Sequence, residues 1–107
     1  PAQAEMARPN NFVTLSVQDG AGNLRTTTLG CHPTRGMHPR AEQACETLTA
    51  AKGEFDALEP QTAQCPMIYR PVNVAARGIW RNESLDYTAR FSNDCVARAQ
   101  TGGVFDF

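Results

Sequence analysis

Hydrophobic and polar residues alternate most cleanly between positions 84 and 91, where polar residues separate Leu85, Tyr87, Ala89 and Phe91. A period of two is the signature of a strand with one buried face. Residues 11–19 repeat the pattern, with Val13, Leu15 and Val17 on one side and Phe12, Thr14 and Ser16 on the other. Asp19-Gly20-Ala21-Gly22-Asn23 is a turn by composition, and the threonine-rich run 24–31 reads as the hairpin partner. Residues 68–76 suggest another strand, at an edge or late in the ladder because Pro71 has no N–H to donate. Arg77-Gly78 and Arg81-Asn82 punctuate the chain around Ile79-Trp80, and Gly102-Gly103 releases a final short strand at 104–107.

The period lengthens in one region. Over residues 40–52, Ala44, Leu48 and Ala51 make a narrow apolar stripe with Cys45 beside it, which predicts a helix. Pro39 suits its first turn and Gly53 stops it. Residues 54–58 allow one more turn. Ser92-Asn93-Asp94 supplies capping residues for a second short helix at 95–100. Together these elements predict an α+β fold: an antiparallel sheet of about five strands with two short helices on one side. Neither a repeat nor a linker divides the chain, so residues 1–107 form a single domain, with residues 1–10 expected to fray.

Composition narrows the function. A length of 107 residues suits one small core, and 41% apolar with 20% charged residues is ordinary for a globular domain. Ten basic against eleven acidic residues give a net charge of -1, which leaves no excess to neutralise phosphates. No apolar run approaches the roughly 18 residues of a membrane span. Nucleic-acid and membrane partners are therefore not expected. No signal peptide opens the chain, so a mature form is expected.

The cysteines are Cys31, Cys45, Cys65 and Cys95. An even count in a small chain predicts two disulfides and a secreted, extracellular protein. Three pairings are open; local order favours Cys31–Cys45 with Cys65–Cys95, since each closes a moderate loop. His32 and His38 share a loop with the first pair, but the spacing fits no standard zinc site, so no metal and no cofactor are expected. A catalytic Ser-His-Asp set would lack the Gly-x-Ser-x-Gly elbow, and no enzyme activity is expected. Trp80 reads as core. Asn82-Glu83-Ser84 matches a glycosylation sequon, here read as incidental.

The run Cys65-Pro66-Met67-Ile68-Tyr69-Arg70-Pro71-Val72 resembles the reactive-site segment of the Streptomyces subtilisin inhibitor family. Further likenesses follow in register: Gly78-Ile79-Trp80, Tyr87, Arg90-Phe91-Ser92-Asn93-Asp94-Cys95 and Val104-Phe105-Asp106-Phe107. Upstream, Cys31, His38-Pro39 and Ala44-Cys45 match as well. The resemblance covers roughly residues 12–107. It implies a five-stranded antiparallel sheet with two helices, first-to-second and third-to-fourth cysteine pairing, and a homodimer. It implies a secreted inhibitor of subtilisin-like serine proteases, with the scissile bond Met67–Ile68 and Met67 in the enzyme's primary pocket.

The residue types suit that role. A loop that is extended and stiff before docking loses little entropy on binding. Pro66 and Pro71 restrict themselves and the residues before them. Cys65 ties the loop to the body. Methionine adapts to an irregular apolar pocket, as subtilisin-like and chymotrypsin-like enzymes offer. Asn93, two residues before Cys95, is expected to hold loop carbonyls from behind. Arg70 adds positive charge on the leaving side. Gln64 departs from the apolar residue expected at the fourth subsite. Two alternatives stand beside this reading. One is a dual inhibitor that also blocks a bacterial zinc metalloprotease. The other is a non-inhibitory secreted binding domain or transglutaminase substrate. The outward set Phe12, Thr14 and Ser16 is a candidate dimer face, and a solvated face is the alternative.

Overall fold

The computed structural model describes residues 11–107, so the expected fraying of residues 1–10 lies outside the described residues. Four strands form one antiparallel sheet in the order β2-β1-β3-β4: β1 is Phe12–Asp19, β2 Leu24–Gly30, β3 Val72–Trp80 and β4 Glu83–Phe91. Two helices accompany it, α1 at Ala41–Ala50 and α2 at Asp94–Gln100, with a single 3-10 turn at Phe55–Ala57.

Each turn follows from its residues. Between β1 and β2 the Asp19 carboxylate accepts the Ala21 and Asn23 N–H groups, both at 2.9 Å. Such side-chain mimicry of a turn is why aspartate sits there. Between β3 and β4, Arg81 and Asn82 both have positive φ, 52° and 67°. A two-residue hairpin turn with left-handed backbone at both centres matches the twist of its strands. Gly78 does not punctuate the chain; it lies inside β3, paired with Val13 of β1 and Leu85 of β4. A Cβ there would lie 2.7 Å from the Val13 Cα, so only glycine lets β1 approach this closely.

The core lies between one face of the sheet and the helices. Val13, Leu15, Val17, Val74 and Ala76 from the sheet are buried with Ala44, Cys45 and Leu48 of α1. The stripe predicted for α1 is thus its buried face. Pro39 stands just ahead of the helix rather than in its first turn, because Arg40 is the capping residue. The helix closes with Lys52 in the left-handed region and the Gly53 N–H on the Leu48 carbonyl at 2.9 Å.

Two strand expectations are corrected. The strand expected at 68–76 begins at Val72 and continues to Trp80. Pro66 and Pro71 donate no backbone N–H, and residues 68–71 form loop instead. The expected fifth strand at 104–107 is absent among the described residues. Gly102 and Gly103, with φ of 64° and 87°, curl the chain after α2. The Val104 and Asp106 N–H groups then bond Thr101 and Gly103 carbonyls, so their ladder capacity is spent locally. Val104 and Phe105 are nonetheless fully buried, with the Phe105 ring against those of Phe55 and Tyr87. Their hydrophobic spacing reported burial, and burial in turns satisfies it as well as burial in a strand.

Both disulfides form, Cys31–Cys45 and Cys65–Cys95, each with Cα atoms 5.6 Å apart. No helix among the described residues is long and apolar enough to cross a membrane.

Candidate functional site

Residues 59–71 carry no regular structure, yet they are held at several points along α2. The Gln61 N–H donates to the Ala99 carbonyl near the end of that helix, at 2.8 Å. The Cys65–Cys95 bridge fastens the middle. The Arg70 N–H donates to the Ser92 carbonyl, just before the helix, at 2.8 Å. The segment therefore runs antiparallel to α2 and is splinted by it.

Asn93 sits at the head of this splint, buried and in extended backbone. Its Oδ1 accepts the Val96 N–H at 2.9 Å and caps α2. Its Nδ2 donates to the Pro66 carbonyl at 3.1 Å and the Ile68 carbonyl at 2.8 Å. One side chain uses both ends: the helix fixes the plane of the amide, and the amide fixes the loop. The two held carbonyls flank Met67. Its own carbonyl has no partner among the described hydrogen bonds, so the Met67–Ile68 peptide bulges away from the body between two anchors.

Among the large apolar residues described, exposure is highest at this point. Met67 is as exposed as in an extended peptide, at 104%; Tyr69 is 73% exposed and Ile68 48%. Single exposed apolar residues are common on protein surfaces. Three in a row on a fastened protrusion mark a surface built to be covered. Gln64, Pro66 and Arg70 are exposed too, and Cys65 is half-buried. The structure thus brings residues 64–70 and Asn93 together.

The two histidines bond other parts of the chain. Among the described residues, no group of three histidine, cysteine or acidic residues could hold a metal. His38 is buried, with its Nε2 2.8 Å from the Val104 carbonyl and its Nδ1 accepting the Arg40 N–H at 3.0 Å. Burial pushes its pKa below the ordinary value near 6.5, against the bond to Val104 and the nearby Asp106 carboxylate. His32 instead bonds Thr49, 3.0 Å from its hydroxyl.

Comparison with known proteins is decisive about kinship. The family model described as "Subtilisin inhibitor-like" matches residues 10–93. The chain belongs to the subtilisin inhibitor-like family. "Subtilisin inhibitor-like protein 5" of Streptomyces fradiae is 39% identical over 104 residues, covering 91% of this chain and 97% of its own length. "Subtilisin inhibitor-like protein 3" of Streptomyces coelicolor is 43% identical over 89 residues, covering 81% and 83%. A crystal structure of Streptomyces caespitosus sermetstatin in complex with Bacillus licheniformis subtilisin superposes with a TM-score of 0.72. It is 33% identical and covers 90% of this chain and 97% of that one.

For this member of the subtilisin inhibitor-like family, sequence reasoning missed several parts of the splint. Ser92 and Ala99 act through backbone carbonyls, which side-chain chemistry does not reveal. Gly102 was read only as releasing a final short strand. A Cβ there would lie 2.5 Å from the Glu59 carbonyl oxygen, so its bareness lets the start of the loop lie against the end of α2. Arg25 bonds Asp94 across 69 positions, and no local motif announces such a pair.

Proposed function

We propose that this chain inhibits subtilisin-like serine proteases by offering Met67–Ile68 as a substrate bond that is slow to leave. One observation carries the reading: a fully exposed Met67 stands between two carbonyls held by a single buried amide. The geometry suits a strand that docks in an enzyme cleft already shaped, with little ordering cost.

The chemistry follows from that rigidity. The enzyme's serine oxygen adds to the Met67 carbonyl carbon. The C–N bond to Ile68 breaks, and the amine of Ile68 takes a proton. An ordinary leaving amine would diffuse away and water would take its place. Here the new terminus stays tethered. Residues up to Met67 are joined to the body through Cys65–Cys95, and residues from Ile68 onward through the Arg70–Ser92 bond and β3. Its effective concentration beside the acyl group stays high, so attack by the amine reforms the peptide and releases the serine. Met67 fills the primary pocket, Gln64 and Pro66 lie on the acyl side, and Tyr69 and Arg70 on the leaving side.

Two further features belong to this reading. The disulfides suit a secreted protein in an oxidising medium. The sheet face opposite the helices is open. It carries Phe12 at 39% and its pairing neighbour Ile79 at 50% exposure, with Thr14 exposed and Ser16 half-buried beside them. That face suits a homodimer, and sedimentation at rising concentration tests it: a monomer throughout rules the dimer out. Inhibition itself is tested by titrating subtilisin with the purified chain. Loss of activity in proportion to added chain is expected, and unaffected activity at micromolar chain counts against the proposal.

A further inference from the structure

The Asn93 amide can hold the loop only if the head of α2 stays in place. Cys95 ties that head to the loop itself, which moves with it. Ser92 ties it to the end of β4. Among the described hydrogen bonds, one contact joins α2 to β2 at the far edge of the sheet: Arg25 Nη2 donates to Asp94 Oδ1 at 3.0 Å. The same arginine donates through Nε to the Phe107 carbonyl at 3.1 Å. The other oxygen of Asp94 accepts Arg98 Nη1, one turn along α2, at 2.9 Å. Arg98 in turn lies 4.0 Å from Asp106, which pairs with Arg40 at 3.2 Å.

Asp94 is thus clamped between two guanidinium groups, adjacent in sequence to the residue that carries the loop. We propose that Asp94 is a positioning residue for the Met67–Ile68 bond, acting through the Arg25–Asp94–Arg98 clamp on the Asn93 amide. The proposal rests on the reading of Met67–Ile68 as the bond presented to the enzyme. Asp94 itself does not bond the loop. Its effect is on where Asn93 points, and hence on how well the two cut ends stay in register for resealing.

The side chains are partly exposed, 45% for Arg25 and 35% for Asp94, so the clamp contributes little to global stability. Its signature is local. Asp94→Asn keeps the size and removes the charge. Arg25→Gln releases the tie to β2 from the other end and leaves α2 untouched. The test compares both variants with the parent against subtilisin, following the cut chain by mass. In about 0.1 M salt we expect both to be cut about two- to fivefold faster than the parent. Raising salt to about 1 M shortens the screening length to about 3 Å and should narrow that ratio, as a packing defect would not. A second readout uses the free protein: exchange of the Asn93 side-chain amide protons with water, by NMR, should accelerate in both variants. A parental cutting rate with unchanged amide exchange overturns the proposal. A parent that does not inhibit subtilisin overturns the functional reading alone, because amide exchange in the free protein still decides whether Asp94 positions Asn93.

Discussion

Asn93 has two jobs that substitution can separate. Its Oδ1 caps α2 and its Nδ2 holds the carbonyls on either side of Met67. Asn93→Asp retains an acceptor for the Val96 N–H and places negative charge at the start of a helix, where it is favourable. It removes the donor and turns a carboxylate toward two carbonyl oxygens. Two lost hydrogen bonds of about 1 kcal/mol each, with some repulsion added, weaken the docked loop by about 2–3 kcal/mol. That is roughly a 30- to 150-fold rise in inhibition constant. Asn93→Ala loses the cap as well, so its stability falls by about 2 kcal/mol and its melting midpoint by roughly 10 °C. The assay measures subtilisin inhibition constants and thermal midpoints for the parent and both variants. The aspartate variant should keep most of its stability and lose inhibition. An aspartate variant with the parental inhibition constant and an uncut loop would show that the Nδ2 donor does not hold the loop.

Other outcomes follow from the same geometry. Met67→Lys should move inhibition toward trypsin-like enzymes, whose pocket holds an acid, while the melting midpoint stays put because Met67 touches nothing it would leave. Unchanged inhibition of both enzyme types would remove Met67 from the anchor role. Replacing Cys65 and Cys95 by serine opens a closure spanning 30 positions, and the chain-entropy model puts the loss near 3.6 kcal/mol. Denaturant unfolding measures it, and a loss below about 1 kcal/mol would contradict that model here. His38 is held neutral, with a pKa below its ordinary value near 6.5. The unfolded chain therefore binds the proton more readily, so stability falls as pH drops below about 6.5 and levels off below the folded-state pKa. Midpoints measured from about pH 7.5 downward should show that slope, and His38→Asn should lose it.

How much of this was legible depended on the range of the interaction that fixes each element. β1, β4 and α1 follow from local periodicity, because a face turned toward the core, buried in β1 and α1 and half-buried in β4, imposes its spacing on adjacent residues. The final segment was misread because Val104 and Phe105 have the hydrophobicity of a strand, while Gly102 and Gly103 give the backbone a turn. Pro71 did signal a late ladder start, yet the loop's length was underestimated: its outer part is held by Asn93 and Ser92 rather than by strand neighbours. The string around Met67 is legible by resemblance. That α2 splints the whole of it rests on contacts between residues about 22 to 38 positions apart, which no local pattern encodes.

A rigid loop that offers Met67–Ile68 should survive its encounter with the enzyme. The most direct measurement incubates the intact chain with a trace of subtilisin and maps every cut over time by mass. Full inhibition is expected while the chain stays largely intact, with one slow cut at Met67–Ile68. Chain cut there and purified should then be resealed by the same enzyme. Rapid cutting at several bonds, or inhibition that persists in Met67→Glu, would contradict this expectation.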